Sequence, residues 1–442
     1  MMEFIHESDE MITLEELGLF IQEHRKMIPR FEELKAQYIS KPPILDMEEK
    51  EAWKPDNRLV VNYGKYIVDT FNGYFSGIPV KISHEDEEIN ENINTFWNRN
   101  NMDDVISELS KITSQYGRGY LYVFQNEESE TRVIYEDPMG MFVIYDDTVE
   151  KRAKYGVRYR TTEEGLEGIL VTLDYVMEFY ENDEGELIFV DEGKPHYYSD
   201  LPMIEFVENE ERQSLIEPVE TLINAYNKAI SEKANDTDYF ADAYLAILGA
   251  ELDEDGTHKI RDNRIINIFG TDDVSKIIVE FLDKPDGDVT QENLLNRLER
   301  LVYHTSMVAN INDESFGNAS GVSLEFKLQP MKNLAAMKER KFVKGLNQLF
   351  KIYMSIPNVP NAQMEEWSNI HYRFTRNIPR NIQDEAKTAR ELEGVVSRET
   401  QLSTLSIVDN VKEELNKIEE EKPTYSEATF DLDDDVGDGL DG

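Results

Sequence analysis

The chain of 442 residues has no cysteine. That excludes a disulfide framework and any thiolate metal or redox site. Positive charge is scarce as well: 46 Lys and Arg stand against 90 Asp and Glu, a net charge of −44. A protein that grips DNA over a broad surface needs cations to displace phosphate counterions, so most of this surface is expected to repel DNA. Long apolar runs are missing too. No stretch approaches the roughly 18 apolar residues of a membrane span, and no membrane partner is expected. The first residues, MMEFIHESDEM, are acidic where a secretory signal needs a basic start. The expectation is a soluble, anionic chain suited to a reducing cytoplasm.

Signatures of catalysis are also wanting. There is no G-x-x-x-x-G-K-S/T phosphate loop; the nearest fragment, Gly64-Lys65-Tyr66, lies inside an apolar helical pattern. Gly117 and Gly119 begin a G-x-G, but it runs into a strand and no third Gly follows. The seven His are scattered, without an HExxH or a pair at metal spacing. Asp146-Asp147 and the cluster Asp253, Glu254 and Asp255 offer oxygen ligands, yet both read as solvated turns of an acidic protein. Ser320 beside Gly321 reads as a helix cap, because no His or Lys base is placed near it. No catalytic residue, no metal site and no cofactor are expected, and the chain is not expected to be an enzyme.

What is present is a succession of amphipathic helices and short strands. Residues 10–40 read as a helix, and Pro42, Pro43 and Pro55 mark a linker. The segment from Asn57 places Tyr63, Ile67, Val68, Phe71 and Phe75 on a buried helical face, ended by Gly77 and Pro79. Two charged helices follow. From 117 to 209 the period changes to two, with turn signals between aromatic and β-branched runs, which reads as one antiparallel sheet of hairpins. The helical period returns at Ser214, where Ser214 and Glu217 form a capping-box pair. Residues 244–284 read as a small β insertion, 370–381 as a late strand and 384–420 as helical. The tail from Pro423 is rich in Asp without Lys or Arg and is expected to be disordered. Trp53, Trp97 and Trp367 read as core or subunit-interface residues.

Residues 289–356 are the most informative. Leu294, Leu295, Leu298, Leu301 and Val302 make one apolar stripe. A polar loop, NDESFGNASGVS, then leads to a second long helix. That helix carries Leu324, Phe326, Leu328, Leu334, Met337, Phe342, Leu346 and Leu349 on the face expected to pack. Pro330 sits inside this pattern, so a kink or restart is expected there. Two long helices joined by a loop of Gly, Asn and Ser suit a moving part better than a catalytic pocket.

Four segments in this order, RLVVNYGKYIVDTFNGYFSGIPV, PMGMFVIYDDT, PMIEFVENEERQSLIEPVETLINAYN and FGNASGVSLEFKL, followed by KNLAAMKERKF, resemble the portal proteins of tailed double-stranded DNA bacteriophages, in the branch from long-tailed phages of Gram-positive hosts. The resemblance spans about residues 58–350. It implies an α+β, multidomain fold: long α-helices for stem, channel and crown, an antiparallel β-rich wing and a small β-containing clip. The implied parts are an N-terminal helical arm (1–56), an α/β wing (57–210), a stem helix (211–243), the clip (244–288) and a second stem helix (289–311). They continue with a tunnel loop (312–322), a long kinked helix (323–357), a return strand to the wing (358–380), a helical crown (381–422) and the acidic tail (423–442).

The resemblance further implies a homo-oligomeric ring, on the order of twelve subunits, at one capsid vertex. Double-stranded DNA passes along its axis during packaging and ejection. Implied partners are the terminase large subunit, scaffolding protein, major capsid protein and a head-completion or adaptor protein, in the virion and, during assembly, in the host cytoplasm. The channel loop would be Asn312, Asp313, Glu314, Ser315, Phe316, Gly317, Asn318, Ala319, Ser320 and Gly321; Phe316 reads either as a channel gate or, the favoured reading, as an anchor against a neighbouring subunit. Candidate DNA-facing cations are Lys327, Lys332, Lys338, Arg340 and Lys341; the competing reading is a solvated helix face that pairs with acids at i, i+4. The acidic wall itself is sensible for a conduit in which a polyanion must slide. The alternative is a non-portal oligomeric structural or scaffold-like virion protein without a DNA channel.

Overall fold

The computed structural model describes residues 3–51, 54–163, 165–241, 245–248, 265–268, 278–281, 288–312, 321–356, 364–378, 382–405, 407–408 and 411–420. Trp53, the residues Asp253 to Asp255 and the tail from Pro423 fall outside them. The chain divides into two units, Met1–Asn377 and Ile378–Gly442.

The first unit opens with β1 (Phe4–His6), α1 (Leu14–Arg25) and α2 (Ile28–Tyr38). The single helix expected over 10–40 is therefore two. Thr13 and Glu16 close a reciprocal capping box on α1. Pro29, which has no N–H to donate, sits in the first turn of α2, where that loss is harmless. Next come α3 (Tyr63–Ser76, capped by Asn62), β2 (Lys81–Ser83), α4 (Glu87–Arg99) and α5 (Met102–Tyr116).

The β-rich stretch supplies β3 (Arg118–Gln125), β4 (Thr131–Glu136), β5 (Met141–Asp146), β6 (Ala153–Thr162), β7 (Gly165–Val171), β8 (Tyr175–Glu181), β9 (Leu187–Phe189), β10 (Lys194–Pro195) and β11 (Met203–Val207). These do not form the one antiparallel sheet expected. β11, β3 and β4 make a separate three-stranded sheet, while β5 to β10 form the larger one, joined at its edge by β1 in parallel with β5. β7 was hidden in the sequence by Gly165 and Gly168. A Cβ at Gly168 would stand 2.4 Å from the Arg158 carbonyl and 2.8 Å from the Phe179 ring, so the close approach of the strands requires glycine there. Phe142, Ile144, Val157, Leu170 and Phe179 of the large sheet share one core with Leu17 and Ile21 of α1.

Helix α6 (Glu220–Ala241) leads to three short strands, β12 (Leu245–Leu248), β13 (Ile265–Ile268) and β14 (Ile278–Phe281), with β12 central. Helices α7 (Asp288–Ser306) and α8 (Gly321–Met354) follow, and α8 runs through Pro330 as one element, without a restart. β15 (His371–Arg373) pairs antiparallel with β2, nearly three hundred residues earlier in the chain. In the second unit, the helical pattern resolves into Ile382–Glu391, Arg398–Ser403 and Val411–Glu420. Val395 and Val396, expected on a helical face, lie in the turn between the first two and are exposed.

Candidate functional site

The candidate site is built on α3, α6, α7, α8 and β11. α6 and α7 run side by side, linked by Lys233 to Glu292 at 2.7 Å and by Gln291 to Asp236 at 2.7 Å. Ile223 on α6 and Leu295 and Val302 on α7 are buried, whereas Leu294, expected on the same packed stripe, is half exposed. Tyr63 and Tyr66 of α3 meet Tyr303 of α7 edge-on at 5.8 and 5.6 Å, and Tyr63 meets Tyr226 of α6 at 5.1 Å. Burial drives the phenols of Tyr63 and Tyr303 well above their ordinary range, so they act as neutral packing groups.

This aromatic cluster holds the chain where it leaves α7. The Tyr66 hydroxyl accepts the Ile311 N–H at 2.9 Å and lies 3.4 Å from the Ala309 carbonyl. Of the ten loop residues singled out from the sequence, Asn312 stands at the end of this pinned segment and Gly321 opens α8. Asp313, Glu314, Ser315, Phe316, Gly317, Asn318, Ala319 and Ser320 lie outside the described residues.

Beyond the loop, α8 buries Met331, Ala335, Phe342, Leu346, Leu349 and Phe350 against the body of the unit. Phe75 of α3 and Phe206 of β11 meet Phe342 at 5.4 and 5.2 Å. Phe326 and Met337, expected on the packed face, are instead 75 and 49 % exposed. The buried stripe is rotated away from them, because it follows Leu328, Met331, Ala335 and Lys338.

Lys338 is the main correction among the five cations. It is no solvated or DNA-facing group: it is 1 % exposed and sits at 2.7 Å from Glu208, itself 1 % exposed. Its two remaining protons go to the Ser110 carbonyl at 2.8 Å and Ser114 Oγ at 2.7 Å, which uses all three donors of an ammonium group. The rings of Phe71, Phe75 and Phe342 stand 5.2 to 5.3 Å from Nζ. Burial pulls the Lys338 pKa down and Glu208 opposes it. Lys341 pairs with Glu210, Lys332 and Arg340 are exposed, and Lys327 is partly buried.

β11 carries a second buried charge group on its other face. Glu205 meets Arg118 at 3.2 Å, Arg212 at 2.8 Å and the Tyr145 hydroxyl at 2.7 Å. Burial raises the Glu205 carboxyl, but Arg118 and Arg212 outweigh it and hold the group below its ordinary range. The sequence shows Glu205 and Glu208 only as acids in an acidic chain; for Glu205 the signal available was its place inside an apolar strand pattern, while Glu208 lies just past the strand's end.

Chemically the described residues offer little. They contain no cluster of His, Asp and Glu arranged to hold a metal ion. Asp146 closes its own turn by accepting from Thr148 and the Arg152 N–H. Lys65 of the Gly64-Lys65 fragment pairs with Asp69 at 2.8 Å along the helix. Gly117 ends α5 with φ +86° and Gly119 packs on Ile112, so that G-x-G is a helix-to-strand turn. No helix among the described residues is long and apolar enough to cross a membrane.

Comparison with known proteins places most of the chain. The family model described as "Phage portal protein, SPP1 Gp6-like" matches residues 17–428. The portal protein of Bacillus phage SPP1 is 25 % identical over 411 residues, covering 87 % of this chain and 80 % of its own length. The portal protein of Clostridium phage phiCD119 is 22 % identical over 433 residues, covering 90 % of this chain and 94 % of its own.

Proposed function

This chain belongs to the SPP1 Gp6-like phage portal protein family, and from that premise we propose that it forms a closed ring through which phage DNA is packaged and ejected. It is a structural component of the virion and not of the enzymatic classes; ATP hydrolysis falls to a separate terminase. In this reading the ring has about twelve copies, the number the family resemblance implies, joined by repeated head-to-tail contacts between identical subunits. It sits at one capsid vertex among scaffolding protein, major capsid protein, terminase large subunit and a head-completion or adaptor protein. α6 and α7 are the stem, 244–288 the clip that meets the motor, 57–210 with β15 the wing, and 381–422 the crown. The segment 312–322 is the channel loop.

One observation carries the assignment of the moving part. The residues before it are held by Tyr66 and the helix after it is anchored by Lys338, so the chain is fixed on both sides of 313–320. The net charge of −44 keeps a sliding polyanion from adhering to the wall. Native mass spectrometry with end-on electron microscopy tests the ring: closed assemblies of 51.4 kDa subunits with a central hole are expected. Shortening the loop, or adding bulk at Gly317, is expected to impair packaging while rings still assemble. Unchanged packaging would remove the loop from the mechanism.

A further inference from the structure

The apolar face of α8 does not by itself say where the helix should sit. Leu328, Met331, Ala335, Phe342, Leu346 and Leu349 recur at spacings of three and four, with Lys338 filling the one gap between Ala335 and Phe342. A slip of one turn, about 5.4 Å, would therefore lay apolar side chains on apolar side chains again. Lys338 is the one charged residue that this face buries among the described residues. After a slip, Leu334 or Lys341 and Phe342 would replace it, and Glu208 would lose its partner.

β11 makes this a key with two teeth. Phe206 of β11 and Glu208, one residue past the strand's end, meet α8 at Gly345 and Lys338, seven residues apart on one helix face. A Cβ at residue 345 would stand 2.5 Å from the Phe206 ring, so only glycine admits it. We propose that the buried Lys338–Glu208 pair, seated with the Gly345–Phe206 notch, is a positioning device that fixes the register of α8 on the wing. Buried ion pairs are poor sources of stability compared with apolar groups of similar size, and setting register is their best-attested use. The register is a statement about the fold alone; its consequence for the channel loop rests on the portal reading.

The experiment is a comparison of Lys338→Met with the double variant Lys338→Met/Glu208→Leu. The single variant leaves a buried carboxylate unpaired and should melt lower than the native chain. The double variant should recover the native melting midpoint or exceed it, yet show α8 in more than one register by cryo-electron microscopy. DNA packaging by the double variant should fall at least tenfold. A double variant with α8 held in the single native register overturns the proposal, whatever its packaging activity. If the double variant does not fold, Glu208→Gln decides, because it removes the ion pair and keeps a side chain of the same shape against Lys338. Faster hydrogen exchange of the α8 amides around 335–342 than elsewhere on the helix supports the proposal, and exchange there unchanged from the native chain overturns it. Register lost with packaging unchanged would count against the loop's role and not against the key.

Discussion

Val61 donates its backbone N–H to Asn227 Oδ1 at 2.8 Å, the first rung of a ladder between the segment ahead of α3 and helix α6. Leu59 donates to Ser231 Oγ at 2.9 Å and Asn57 to Asn235 Oδ1 at 2.6 Å. Alternate residues of an extended chain advance about 6.6 Å and four helical residues about 6 Å, so the two repeats stay in step. All three α6 side chains are buried. Helix α6 is thus tied to the segment ahead of α3 by side chains that stand where a neighbouring strand would.

Replacing Asn227 with Ala should leave the half-buried Val61 N–H without its acceptor. The expected loss is about 1 kcal/mol, as for a typical intramolecular hydrogen bond. Urea titration of the variant checks it. An unchanged midpoint would mean that the ladder contributes nothing.

Tyr66→Phe keeps the aromatic cluster and removes only the hydroxyl that holds Ile311. One lost hydrogen bond of about 1 kcal/mol corresponds to roughly fivefold faster exchange at the Ile311 amide. Hydrogen exchange with mass spectrometry reads that peptide directly, while ring assembly should be unaffected. Equal exchange in variant and native protein would show that Tyr66 does not restrain the loop.

Two glycine replacements should act in opposite directions. At Gly117, φ is +86° and a Cβ would stand 2.0 Å from the Arg212 carbonyl, so Gly117→Ala should destabilise by several times the usual ~1 kcal/mol of a point change. At Gly73, inside α3, a Cβ meets nothing within 4 Å, and Gly73→Ala should stabilise by about 0.5–1 kcal/mol. Thermal melts of both variants give the signs, and the same sign for both would refute the argument.

His24 provides a pH dependence. Its ring is buried between Tyr159 and the Pro138 carbonyl, at 2.7 and 2.9 Å, and burial pushes its pKa from 6.5 down to about 4. Above pH 6.5 the imidazole is neutral in both states and the stability of the site is fully present. As pH falls, the unfolded chain takes up a proton first, and stability declines until the folded ring also titrates near 4. The loss through this window is on the order of 3 kcal/mol. His24→Gln should flatten the slope measured from pH 6.5 to 5 relative to the native chain. Parallel slopes would exclude His24 as the cause.

Much of the architecture was legible where one periodicity dominates. α3 to α8 and most strands of the large sheet show their period because one face of each is buried and the other is wet. Legibility failed where context overrode pattern. β1 is three residues long and exists only because β5 offers it an edge. β7 is disguised by glycines whose missing side chains are what let it pack. Phe326 and Met337 look like core residues in a one-dimensional pattern, yet the face α8 presents packs on Phe206 of β11 and on Glu208 just past that strand, over a hundred residues away.

By itself the sequence determined the class of the protein: acidic, without cysteine, built of amphipathic helices and short strands in the order of a portal chain. That information lies in composition and local period, which no partner is needed to read. The tertiary structure alone decided which charges are inside. Lys338, Glu205 and Glu208 are ordinary surface residues in a linear reading, and only desolvation by distant elements makes them fixed, paired groups. The cost of burying a charge depends on everything packed around it, and that is a property of the fold.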